Sequence, residues 1–180
     1  NLRLPAGADA KLNKGRERWM VYQIVLGAAL SGAGRFDDAA RELRDTLERN
    51  RDWNANIDLQ WSALHLLTAA LSAQGKYEEA SHAGKEALDL AVQSSGPGVH
   101  SRVLLAVAAR DYAESVAHWK LASPDDRTAA VQSLDTCCSG LDERYGVLAG
   151  ALLEWPPKTA ETASIRNMLS NSKESMGQTH

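Results

Sequence analysis

Apolar residues return every three or four positions through much of the chain, and short Gly-rich stretches interrupt them. From Arg16 the spacing of Trp19, Tyr22, Leu26 and Leu30, widened by Val25 and Ala29, predicts an amphipathic helix. "SGAG" at Ser31–Gly34 stops it, because glycine accepts the left-handed backbone that follows a helix end. A second helix is predicted from Phe36, with Asp37 and Asp38 in its first turn and an apolar stripe of Ala39, Ala40, Leu43 and Leu47. The cycle then repeats. One helix is expected over Ile57–Ala73, on Leu59, Ala63, Leu66, Leu67 and Leu71. Another follows from Tyr77 to Gln93, led by Glu78 and Glu79. Further helices are expected over Val99–Leu121, from Ser123 to Gly140, over Asp142–Glu154 and over Thr159–Ser172. In "SPDD" a Ser cap, Pro at the first position and two acids make a helix start.

Two stretches nearly duplicate each other. "GRFDDAARELRDTL" begins at Gly34 and "GKYEEASHAGKEAL" at Gly75, forty-one residues apart. The agreement extends into the preceding helices, where Leu26, Gly27 and Leu30 stand opposite Leu67, Thr68 and Leu71. This pattern resembles the tetratricopeptide repeat (TPR), a helix–turn–helix unit of about 34 residues. The resemblance assigns structural roles to Gly27, Gly34, Phe36 and Ala39 in the first copy, and to Gly75, Tyr77 and Ala80 in the second. The glycines close the turns, the aromatics pack beneath them, and the alanines let the paired helices approach. The pattern departs from the family at Gln23 and Leu64, where a Trp is usual, and at Arg51, where a Pro often ends the unit.

The implied fold is all-α: a right-handed α-α superhelix, a TPR-like solenoid of antiparallel hairpins with C-terminal capping helices. Its expected organisation is a lead-in over 1–15 and one helical-repeat domain over 16–180. Within that domain, 16–50 form the first repeat, 56–94 the second, 99–140 a degenerate third, and 141–175 the C-terminal helices.

Composition narrows the classes. Apolar residues make up 44% of the 180, with a single Phe. Helix formers dominate and β-branched residues are sparse, which argues against a sheet-rich fold. The net charge is −3, without a basic block to follow a phosphate backbone, so nucleic acid is not the expected partner. Apolar runs such as Val103–Ala109 fall far short of the roughly 20 residues that span a bilayer, so no membrane partner is expected. Two adjacent cysteines, Cys137 and Cys138, read as reduced thiols and fit a cytoplasmic setting.

Chemistry-bearing residues are plentiful but scattered. His65 lies near Ser62 and Ser72, yet no acid stands at helical spacing from it on that face. The acid pairs Asp37-Asp38, Glu78-Glu79 and Asp125-Asp126 all open helices, which helix-end electrostatics explains. No His-x-x-x-His pair, phosphate loop or Gly-x-Ser-x-Gly motif is present. Neither catalysis, a metal nor a cofactor is expected.

In the family the inner helices line a concave groove. The resemblance places Val21, Ile24, Ala28 and Ser31 there from the first repeat, and Ser62, His65, Ala69 and Ser72 from the second. A clamp for a terminal carboxylate would need Lys, Arg and Asn at such positions, and none stands there. The expected function is a protein–protein interaction scaffold that holds a partner protein or peptide segment, apolar or helical, in the groove. The alternative is a sensor or regulatory domain of a larger signalling protein, binding a peptide or small ligand. A homo-oligomer formed through the C-terminal helices is a further expectation.

Overall fold

The computed structural model describes residues 8–51, 56–94 and 99–138. They form six α-helices: α1 (Ala8–Gly32), α2 (Phe36–Asn50), α3 (Ile57–Ala73), α4 (Tyr77–Gln93), α5 (Val99–His118) and α6 (Pro124–Cys138). No strand occurs among the described residues. Consecutive helices pack in succession as three hairpins, consistent with a TPR-like α-α solenoid. The expected C-terminal helices, with their capping and self-association roles, lie outside the described residues.

The first two turns share one geometry. Gly34 and Gly75 adopt φ of +74° and +73°, a conformation that costs a side-chain-bearing residue roughly 1–2 kcal/mol. At each turn an amide reaches back across the helix end: Arg35 N–H donates to the Leu30 carbonyl at 2.9 Å and Lys76 N–H to the Leu71 carbonyl at 3.0 Å. The turns are also tied together. Gln74 Nε2 donates to the Phe36 carbonyl at 2.9 Å, and Lys76 pairs with Asp37 at 3.2 Å. The third turn lacks glycine. There α6 starts on a reciprocal cap: Asp126 N–H donates to Ser123 Oγ at 3.1 Å and Ser123 N–H to Asp126 Oδ2 at 3.0 Å.

The core runs between the helices. Ala39, Leu43, Ala63, Leu64, Ala80, Ala109, Ala113 and Val116 are buried in it. Small residues set the helix separations. A Cβ on Gly27 would meet the Leu43 side chain at 2.7 Å, and one on Gly84 would meet the Tyr112 backbone at 3.0 Å.

Two expectations need correction. Helix α1 begins at Ala8, earlier than Arg16, because the helix-forming "ADAKL" continues it backwards. Its apolar stripe also faces differently. Met20 and Gly27 are buried, whereas Tyr22 (71% exposed), Val25 (60%) and Leu26 (42%) face outward. On α3 the matching positions, Ala63, Leu66 and Leu67, are covered because α1 and α2 pack against that helix. Among the described residues, only α2 and α3 pack against α1.

Candidate functional site

The odd-numbered helices touch one another: α1 packs on α3, and α3 on α5. The even-numbered helices do not pack directly on each other among the described residues. A stack whose inner helices converge and whose outer helices splay is curved, with its concave face on α1, α3 and α5. The splay opens an outer cleft of about 550 Å³ between α2 and α4, bordered by Arg44, Asp45, Asn50, His82 and Glu86. An Arg44–Glu79 ion pair bridges these two helices.

On α1, Val21 and Ala28 are exposed and Ile24 and Ser31 half-buried. On α3, Ala69 is exposed, and Ser62, His65 and Ser72 are half-buried. The other named positions lie deeper or in turns: Ala39 and Ala80 are fully buried, and Phe36 and Tyr77 are half-buried at the helix starts. Tyr77 stacks on His118 with ring centroids 5.1 Å apart. This contact forms part of a second, shallower hollow at the turn edge, shared with Lys76, Trp119 and Leu121.

The third hairpin repeats the burial order of α3 in a register that the sequence pattern missed. Along α3, from Trp61 to Ala73, buried, half-buried and exposed residues follow a set order. Along α5, from Ala106 to His118, the same order recurs, broken only where buried Val107 matches half-buried Ser62. The offset is forty-five residues instead of forty-one, so Arg110 takes the place of His65, Glu114 that of Ala69 and Ala117 that of Ser72. The turn after α5 carries no Gly-aromatic-acid-acid signature to set this register. Burial periodicity along α5 was the remaining signal.

His65 also has an acidic neighbour after all. Asp111, from α5, places Oδ2 at 2.5 Å from His65 Nδ1. Sequence spacing could not show this, because the partner comes from another helix. The imidazole stacks on Trp61 at 5.2 Å between centroids, in nearly parallel planes. A carboxylate can only accept, so Nδ1–H donates in this contact. The ring forms no second hydrogen bond among the described residues. Ser62 and Thr68, the nearest hydroxyls in sequence, donate instead to the Asp58 and Leu64 carbonyls at 2.7 and 2.9 Å. Among the described residues no hydroxyl or thiol hydrogen-bonds this ring, as a Ser–His or Cys–His pair requires. Asp111 further meets Arg110 at 3.5 Å, and Arg110 reaches Glu114 at 3.8 Å.

Cys137 is a free thiol, and burial pushes its pKa up, away from the reactive thiolate. Burial likewise raises the Tyr112 hydroxyl, helped by the charges of Asp126 and Asp89. No cluster of three His, Cys, Asp or Glu side chains suited to a metal occurs among the described residues. No helix among them is long and apolar enough to cross a membrane.

A stack of helix hairpins that pack in succession defines a helical-repeat protein. Residues 62–98 match the family model of the tetratricopeptide repeat, and the match and the six helices together fit a TPR-like helical repeat protein. Neither the curated proteins nor the solved structures provide a match. Repeats of this family generally mediate binding to other proteins or peptides.

Proposed function

We propose that this chain is an interaction scaffold that holds a segment of a partner protein across the concave face of α1, α3 and α5, in the cytoplasm, with residues 16–180 acting as one helical-repeat domain. The carrying observation is the inner face itself. Val21, Ile24, Ala28, Ser62, Ala69 and Ser72 leave apolar and hydroxyl surface at least partly open to solvent on two adjacent helices. Small side chains make the face shallow enough for a helix or extended segment to approach the backbone. Catalysis has no support there, since no hydroxyl or thiol among the described residues hydrogen-bonds the His65 ring.

Capture from a cell lysate with the wild-type chain and with Ile24→Lys and Ala69→Arg tests this reading. Both changes place charge on partly or fully exposed positions, and circular dichroism checks that each variant keeps its helicity. Partners retained by the wild type are expected to be lost from both variants. Retention of the same set by both would refute the groove.

A further inference from the structure

The hydroxyl protons of Ser62, Ser72 and Ser115 are already committed. Ser62 Oγ–H donates to the Asp58 carbonyl at 2.7 Å, and Ser115 Oγ–H to the Asp111 carbonyl at 2.8 Å. Ser72 lies 3.4 Å from Ser115. With the Ser115 proton used, Ser72 is the donor in that contact. His65 Nδ1 is paired with Asp111. Ser31, the remaining hydroxyl of the inner face, has its oxygen buried below the surface. What α3 offers a ligand is therefore hydroxyl lone pairs, at Ser62 and Ser72, on either side of the His65 ring. These positions share one side of the helix by their three- and four-residue spacing. On α5 the guanidinium of Arg110 faces two carboxylates, Asp111 and Glu114, so that edge carries one positive and two negative charges. The α1 side is uncharged at Val21, Ile24 and Ala28.

We infer that the groove reads a segment of graded polarity, apolar where it crosses α1 and rich in hydrogen-bond donors, as Lys or Arg side chains, where it crosses α3 and α5. This rests on the groove reading above and specifies its partner. Acceptors without spare protons favour cationic donors and penalise a carboxylate, which would lie against lone pairs and Glu114.

The test uses the full chain and two synthetic helical peptides with the same Leu/Ala stripe, one bearing Lys and the other Glu at one end. Binding is read by fluorescence anisotropy. The Lys peptide is expected to bind about tenfold more tightly, as one or two charge-assisted hydrogen bonds would give. In a Ser72→Ala/Glu114→Gln variant, checked for helicity by circular dichroism, the two affinities should converge. A preference that survives in this variant would reflect only the overall net charge and would overturn the proposal. So would equal binding of the peptides, a preference for Glu, or no binding of the Lys peptide. Ile24→Lys separates the two levels of the argument. If it weakens both peptides while they bind equally, the groove stands and the donor preference falls. If it weakens neither, the groove itself is wrong.

Discussion

Asp38 sits between Arg35 and Arg41 at the start of α2. Its hydrogen bond to Arg35 (2.8 Å to Nε), then that to Arg41, hold the carboxyl below its ordinary pKa. A carboxylate with a depressed folded pKa stabilises the fold at pH values above the unfolded pKa of about 4, and this is lost as pH falls through the folded value. Asp38→Asn is therefore expected to melt below the wild type at neutral pH, with the gap closing toward about pH 3. A gap independent of pH would contradict it. The acid pair that resembles catalytic chemistry in the sequence thus acts on the helix start and its neighbouring arginines. His65 runs the other way. It stands alone in the sequence, and only the docking of α5 gives it a carboxylate, forty-six residues along the chain.

At the scale of elements, contact between helices depends on missing side chains. Gly84 lets α4 lie against the Tyr112 backbone, so a Cβ there meets atoms that cannot rotate away. Gly84→Ala is expected to lose about 1–2 kcal/mol, since overpacking outweighs the roughly 1 kcal/mol that alanine gains in helix propensity. Gly15→Ala in α1, with no atom within 4 Å of the new Cβ, should show the propensity gain alone. Urea midpoints of the two variants should move in opposite directions; movement the same way would undo the packing argument. Four helices were legible from periodicity because the two "G-x-aromatic-acid-acid" stretches mark their turns. The two helices of the third hairpin were legible as well, from apolar spacing and "SPDD", but their repeat register was not, since Trp119, Lys120 and Leu121 occupy the turn and the register shifts by four residues. That shift hid Arg110 and Glu114, the counterparts of His65 and Ala69. The start of α1 was missed for another reason: "ADAKL" has helix propensity but no clear apolar period.

Across the whole molecule, equivalent residues have unequal worth because a stack has ends. Leu26 and Leu67 occupy the same repeat position, yet Leu26 is 42% exposed and Leu67 only 5%. Leu67→Ala should cost about 2–5 kcal/mol through the cavity it leaves, and Leu26→Ala under about 1 kcal/mol. Thermal or chemical denaturation of the pair reads this directly, and equal losses would mean that the outer side of α1 is covered. The order of contacts has a mechanical side as well. No described contact joins α1 or α2 to α5 or α6, so tension between the two ends must pass through each hairpin interface in series. Such a body stretches like a spring of unequal coils: the weakest interface yields first, and the concave face changes its span before any single helix has to unravel.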